Sequence, residues 1–297
     1  MSVSESTNYF ILINPLNAKK GQKYLNEIVK LCLAYQFSYQ IYYSTIDFQY
    51  DLQFIQSQKN IDRLIVIGGD GLINLSVNVI AKTTIELIVI PAGSGNDFSR
   101  TLYAGQKLNI KKLLTSPSKK LNLIQVNNRY CINVAGLGFD VYSLNKMSVT
   151  LKKYMGSFAY TICAIRSLFS YQSHKIEYFN ETCWQSTRPL LMVFALGRYF
   201  GGGLQVNPGV VHDNQEGFTM ILCEDKGFLF TVKALVFLLF SQHFRLSSIS
   251  VKKTKSIKIK SNQAICLELD GELVSFSAKQ LIKIKYIKHA IKVVHYE

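Results

Sequence analysis

Acidic side chains are scarce in this 297-residue chain: 19 Asp and Glu stand against 34 Lys and Arg, for a net charge of +15. That imbalance points to an anionic partner, whether nucleic acid, an acidic membrane surface or a phosphorylated substrate. Charged residues are few in total, at 18% against 48% apolar, which excludes a disordered, charge-extended chain and leaves enough material for a sizeable core. Cysteine is sparse too. Cys32, Cys131, Cys163, Cys183, Cys223 and Cys266 are scattered singly, without a CxxC pair or zinc-finger spacing. This argues against a disulfide scaffold and predicts reduced, mostly buried thiols in a cytoplasmic protein. The five histidines are dispersed, which argues against a His-based metal site. Long apolar runs are missing. The most apolar stretch, Phe228 to Phe240, has 13 residues and carries Lys233. It is too short for a bilayer and reads as a buried or interfacial helix. The first fifteen residues lack a basic stretch and contain Glu5, which does not fit a cleaved signal peptide.

The length suits one large domain or two ordinary ones. In the first third, strand and helix signals alternate. Tyr9 to Asn14, Phe37 to Ser44, Arg63 to Ile67 and Glu86 to Ile90 read as strands, and Lys20 to Tyr35, Asp51 to Gln58 and Leu72 to Lys82 as helices. Continuous apolar strands separated by helices predict a parallel sheet covered on both faces. After about Leu121 the chain becomes strand-rich, with strands expected over Leu123 to Val126, Tyr130 to Val134, Lys175 to Phe179, Leu190 to Leu196, Thr219 to Leu222, Ser256 to Lys260, Ala264 to Leu269 and Leu281 to Ile287, interrupted by helical blocks at Val149 to Phe169 and Phe228 to Phe240. The expected organisation is an α/β domain over residues 1–125 and a mainly antiparallel β-sandwich over 126–297, whose last strand could return to the first domain.

The strongest local signal is the strand RLIVI running into Gly68-Gly69-Asp70-Gly71-Leu72-Ile73-Asn74. Glycines at a strand end let the backbone approach a ligand, and the following helix aims its first amides at it, an arrangement suited to phosphate. The strand ELIVI leads into a similar turn, Pro91-Ala92-Gly93-Ser94-Gly95-Asn96-Asp97. Either loop alone reads equally well as an ordinary turn; two on neighbouring parallel strands would line one crevice. A third glycine loop occupies 197–203, which could equally be a sharp bend. Asp270-Gly271 between alternating segments reads first as a hairpin turn, with Asp270 and Glu272 as carboxylates able to activate a hydroxyl.

Taken in order, Asn14-Pro15, GGDG at 68–71 with Asn74, PAGSGNDFSR at 91–100, INVAGLGFD at 132–140, GRYFGGGLQVNP at 197–208 and DGE at 270–272 resemble the diacylglycerol kinase catalytic-domain family, which includes bacterial lipid kinases and sphingosine kinases. GGDG alone is shared with NAD kinases and resembles phosphofructokinases, and the first domain is expected to share their fold. The resemblance implies ATP-dependent phosphoryl transfer to a lipid hydroxyl, with nucleotide in a cleft between the two domains. It implies that Gly68, Gly69, Asp70, Gly71, Leu72, Ile73 and Asn74 surround the nucleotide phosphates, with Asp70 acting through Mg²⁺ or water. It adds Thr45, Ser94, Gly95, Asn96 and Asp97 as nucleotide contacts, and Glu272, beside Asp270, as the proton acceptor. Val211, Glu216 and Phe218 fall in the segment that holds a structural Mg²⁺ in relatives; here that segment reads two residues longer.

Two departures stand out. Leu72 replaces the family's usual threonine after GGDG, and Leu75 its usual glutamate. Both raise the alternative of a degenerate member that binds lipid or nucleotide without turnover; an NAD kinase-like enzyme is the other alternative. The expected partners are a lipid substrate and an anionic membrane surface, approached peripherally, with a homodimer allowed. Residues 251–297 hold ten lysines against four acidic residues, many alternating with apolar ones, as on a solvated strand face. A nucleic-acid partner is not expected, because no recognised nucleic-acid-binding motif accompanies the charge.

Overall fold

The computed structural model describes residues 7–15, 18–139, 141–142, 171–208 and 216–296. The helix expected over 149–169 lies outside the described residues. The chain divides into two compact units, one of residues 1–123 with 288–297, the other of 124–287.

The first unit alternates β1 (Asn8–Ile13), α1 (Ala18–Ala34), β2 (Ser38–Tyr43), α2 (Phe48–Ser57), β3 (Arg63–Gly68), α3 (Asp70–Ile80), β4 (Glu86–Pro91), α4 (Asp97–Tyr103) and α5 (Ile110–Thr115). The strands pair in parallel in the order β2-β1-β3-β4. The interior strand β3 is buried along its whole length, as its unbroken apolar run demands, whereas the edge strand β2 alternates between exposed and half-buried. The chain's closing stretch returns here: Lys292 and Val293 pair in parallel with Glu86 and Leu87 of β4. One buried cation is fully engaged. Arg63 contacts Glu86 at 2.8 Å and donates to the carbonyls of Leu114 and Ser116, anchoring the end of α5. The α2 helix starts three residues before its expected position because Asp47 caps it, accepting from the amides of Gln49 and Tyr50. The helices α4 and α5 are seven and six residues long, too short to display a helical period in the sequence.

The second unit contains β6 (Arg129–Cys131), β7 (Val134–Gly138), β8 (Ile176–Phe179), β9 (Trp184–Thr187), β10 (Pro189–Ala195), β11 (Tyr199–Phe200), β12 (Leu204–Gln205), β13 (Phe218–Glu224), α6 (Phe228–Leu239), a 3₁₀ turn (His243–Arg245), β14 (Ile249–Thr254), β15 (Ser256–Lys260), β16 (Ile265–Leu269) and β17 (Glu272–Phe276). Two long strands, β5 (Ser118–Val126) and β18 (Ile282–Val294), contain residues of both units. One sheet is antiparallel in the order β14-β13-β10-β7-β16-β17. In the other, Ile282–Lys285 of β18 pairs antiparallel with β15, followed by β8 and β9, and β5 pairs with β6. Residues of both sheets, among them Ile124, Leu137, Phe194, Phe218, Ile259, Leu267 and Ile284, fill one core. The expected combination of a parallel α/β fold and an antiparallel sandwich is therefore observed.

The single strand expected over Tyr130 to Val134 is two strands, β6 and β7, separated by a bend at Ile132-Asn133. At that bend the backbone amides turn away from the ladder toward a carboxylate described below. The strands β9 and β14 were not expected. β9 reads Trp-Gln-Ser-Thr and lacks an apolar alternation, and β14 places Lys252 and Lys253 consecutively. Of the described cysteines, Cys32, Cys131 and Cys223 are buried and Cys183 is exposed.

Candidate functional site

In the first unit β3 ends at Gly68, and α3 begins at Asp70 behind Gly69, an N-cap with extended backbone and no side-chain cap bond. Gly69 offers no side chain to the first amides of α3, of which that of Asp70 meets its own carboxylate, and the helix dipole favours an anion there. The glycines are dictated by close approach. A Cβ on Gly93 would lie 2.4 Å from the Gly69 Cα, and one on Gly69 would lie 3.1 Å from the Gly93 Cα. The two expected loops therefore touch backbone to backbone. Ala92 and Gly93 both donate their amides to the Gly68 carbonyl, extending the β3–β4 pairing into the loops. Asn96 adopts a left-handed conformation and clamps its own loop, accepting from the Gly93 amide and donating to the Gly93 carbonyl.

Asp70 joins the two loops. Its carboxylate accepts from the Phe98 amide at 3.3 Å, and further amides of Asn96 and Asp97 aim at it, so it caps the start of α4. Burial raises its pKa above the ordinary carboxylate value, and those amides oppose the rise. Leu72 is buried with its side chain folded over Gly68, where a Cβ would lie 2.7 Å from the Leu72 Cδ2. Leu75, Ile73 and Asn74 are buried as well, Gly71 is half-buried, and Ser94 is exposed with Gly95 and Asn96 half-covered beside it. Asp97 is buried at the head of α4. Thr45 is engaged locally: its hydroxyl donates to Asp51 at 3.0 Å and accepts from the Asp47 amide at 3.0 Å. The buried Asp51 also accepts from the Thr45 amide and from the Tyr42 hydroxyl at 2.7 Å. Burial, reinforced by Asp51, pushes the Tyr42 phenol above its ordinary value. Asp51 was read only as a helix residue; its place six residues after Thr45 was the available signal.

In the second unit β16 and β17 form a two-residue hairpin. Asp270 and Gly271 both have positive φ, 51° and 94°, as a type I′ turn requires, and Leu269 pairs with Glu272. The three acids of this hairpin have different roles. The buried Asp270 carboxylate accepts from the amides of Ile132, Asn133 and Val134 at 2.8, 2.9 and 3.0 Å. These amides lie at the bend between β6 and β7, so the Asp270 carboxylate holds that bend. Glu268, also buried, accepts from the Gly271 amide and closes the turn. Glu272 is half-buried. Opposite Leu269 it shares the face of Leu267, Val274 and Phe276, at the end of the sandwich core. Asn133 extends the frame to the third glycine loop. Its side chain donates to the Tyr199 carbonyl at 2.8 Å, and its backbone carbonyl accepts from the Leu196 and Gly197 amides. A Cβ on Gly197 would fall 1.6 Å from the Asn133 Oδ1, so that position admits only glycine. Neither Glu268 nor Asn133 was singled out in the sequence, although Asn133 lies within the 132–140 motif and Glu268 two residues before DGE.

An open α3 N-terminus beside two side-chain-free backbones fits a polyphosphate. Among the described residues no three His, Cys, Asp or Glu side chains gather to hold a metal ion. Of the three expected cation contacts, Val211 lies outside the described residues, Glu216 is exposed, and Phe218 is buried at the start of β13.

Comparison with known proteins agrees with this geometry. The diacylglycerol kinase catalytic domain family matches residues 8–126, and the YegS C-terminal NAD kinase beta sandwich-like domain matches residues 133–294. A diacylglycerol kinase of Staphylococcus aureus (strain JH9) is 30% identical over 220 residues, covering 72% of this chain and 69% of that protein. A diacylglycerol kinase of Staphylococcus carnosus (strain TM300) is 28% identical over 221 residues, covering 72% of this chain and 71% of that protein. A solved structure described as a diacylglycerol kinase from Bacillus anthracis str. Sterne shares the fold, with a TM-score of 0.70 at 21% identity over 99% of this chain and 98% of that one. No helix among the described residues is long and apolar enough to cross a membrane. With residues 8–126 matching the catalytic domain and residues 133–294 the YegS C-terminal sandwich, the chain belongs to the diacylglycerol kinase-like family of lipid kinases.

Proposed function

We propose that the chain transfers the γ-phosphate of ATP to the hydroxyl of a lipid encountered at a membrane surface. The observation that carries this reading is the sorting of carboxylates in the 268–272 hairpin. Asp270 is committed to three backbone amides and one oxygen of Glu268 to the Gly271 amide, and both acids are buried, which leaves the partly exposed Glu272 as the acid accessible to a substrate. In this reading the Glu272 carboxylate takes the proton of the lipid hydroxyl as that oxygen bonds to the γ-phosphorus and the bond to the departing ADP breaks. ATP supplies the transferable phosphoryl group and enters as its Mg²⁺ complex. The amides at the head of α3 bind phosphate oxygens, Gly69 and Gly93 keep side chains out of their way, and Asp70 orients α4 beside them. Asp270 holds the 132–134 bend against which the Glu272 hairpin rests. The net charge of +15 suits both a polyphosphate and anionic lipid.

The test is transfer of labelled phosphate from Mg·ATP to a panel containing diacylglycerol, a sphingoid base, phosphatidylglycerol and NAD. A labelled lipid supports the reading and names the acceptor. Label on NAD alone supports the NAD kinase alternative. Nucleotide binding without transfer to any acceptor supports a degenerate binder and overturns the kinase reading for this chain.

A further inference from the structure

The α6 helix has the sequence FLFTVKALVFLL, in which only Thr231 and Lys233 are polar. A helix apolar all round belongs in an interior. Here only one side is covered: Thr231, Ala234 and Leu238 face inward, and Ala234 packs with Phe139, Leu190, Cys223 and Leu246. Among the described residues nothing covers the other side. Leu229 is 82% exposed, Leu239 64% and Phe240 72%, with Phe228, Val236 and the following Phe244 also exposed. These six make up nearly half of the exposed large apolar side chains among the described residues. Leu229, Lys233, Val236 and Phe240 recur at helical spacing, so they form a stripe along the helix.

We propose that α6 and the turn after it are a membrane-docking surface that lies on an anionic lipid bilayer. Twelve residues span about 18 Å, too short to cross the roughly 30 Å hydrocarbon core, so the helix lies in the interface. Charge favours a bilayer over a second copy of the chain. Lys233 lies within the exposed stripe, with its ammonium over the Phe237 ring at 5.7 Å, and Lys226 and Arg245 are exposed at the two ends. Of the nearby acids, Glu224 ends β13 and accepts from Thr187, and Asp225 accepts from Ser173 and the Gly227 amide. The open surface is therefore apolar with basic ends. Such a surface suits acyl chains beneath anionic headgroups, whereas apposing two chains of charge +15 would bring like charges together. This deepens the lipid-kinase reading by naming where the enzyme meets its substrate, yet docking can be measured without catalysis.

The test is co-sedimentation of the full chain with vesicles of phosphatidylcholine alone and with about one-third phosphatidylglycerol. Three variants are compared: Leu229→Gln with Phe240→Gln, Lys226→Gln with Lys233→Gln, and Leu33→Gln as an exposed apolar control on α1. Thermal melts verify folding. The expected result is strong binding of wild type and Leu33→Gln to anionic vesicles. The apolar double variant should lose at least tenfold in binding. The lysine double variant should lose both its preference for anionic vesicles and most of its sensitivity to salt. Failure of wild type to bind, or unchanged binding of a folded apolar double variant, overturns the proposal. So does a wild-type dimer in sedimentation equilibrium that the same apolar substitutions dissociate, which would assign the face to a second copy. A dispersed short-chain lipid acceptor separates docking from catalysis. With docking alone impaired, the apolar double variant phosphorylates the dispersed acceptor at the wild-type rate and loses activity only on vesicles. If wild type phosphorylates neither acceptor but still sediments through α6, the kinase reading fails and the docking surface stands.

Discussion

At the scale of single residues, the hairpin acids can be told apart by substitution. Glu272→Gln should leave folding and nucleotide affinity unchanged and slow turnover by roughly two orders of magnitude or more, the scale for losing a general base. Single-turnover transfer with a calorimetric ATP-analogue titration measures both quantities, and undiminished turnover would exclude Glu272 as the base. Asp270→Asn is expected to act on the fold. An amide offers one acceptor oxygen where the carboxylate has two, and three backbone amides at 132–134 depend on it. The loss should be at least about 2 kcal/mol in urea unfolding, since each stranded buried amide costs on that order. The motif DGE was legible in the sequence, but the division of labour within it was not, because it depends on amides some 137 residues away. Leu72 illustrates the same limit. The sequence offers a missing hydroxyl, and the structure a side chain packed over Gly68. Leu72→Thr therefore exchanges apolar packing for a donor.

Among the elements, strands and helices with a clear period were legible in advance, since β1, β3, β4 and α1 each carry an apolar run or stripe that determines its burial. What escaped was set by tertiary partners. The bend between β6 and β7 is held by Asp270, and the contact of the two phosphate-side loops by a pair of glycines far apart in sequence. That contact yields a prediction. Gly93→Ala should separate the loops and lower stability by about 1–3 kcal/mol, because its Cβ meets backbone that has nowhere to retreat. The ATP analogue should bind more weakly, while exposed Ser94→Ala stays within about 0.5 kcal/mol of wild-type stability. The 3₁₀ turn after α6 supplies a pH test. His243 is buried and bonds the Val206 carbonyl at 2.9 Å; the acceptor is a carbonyl, so Nε2 carries the proton. Its Nδ1 is buried without a partner, and burial lowers the histidine's pKa below the ordinary 6.5. The unfolded chain therefore binds this proton more readily. The stability from His243 is complete above pH 6.5 and falls away as the pH drops toward the depressed folded value. Melting temperatures between pH 7.5 and 5 should decline in wild type and decline less in His243→Gln.

For the whole molecule, the chain splits into two units after residue 123, and its last strand returns to the first unit, as the sequence reading allowed. The segment 288–297 belongs to the first unit, where Ile291, Val293 and Val294 are buried to 1% exposure or less. A fragment of residues 1–123 should accordingly show no cooperative melt. The same fragment joined by a short flexible linker to 288–297 should recover one, as circular dichroism would report. A cooperative melt of residues 1–123 alone would show that the returning segment is dispensable.

The return also sets a schedule for synthesis. On the ribosome, the residues that complete the β4 side of the first sheet emerge only after the entire second unit has been translated. At 5–20 residues per second this interval is on the order of ten to thirty seconds. Throughout it, β4 presents unpaired amides and carbonyls beside an apolar interior, the kind of edge that recruits strands from neighbouring nascent chains. The nucleotide half, although made first, is thus the last to be finished, and its yield in the cell should depend on whatever shields that edge while translation continues.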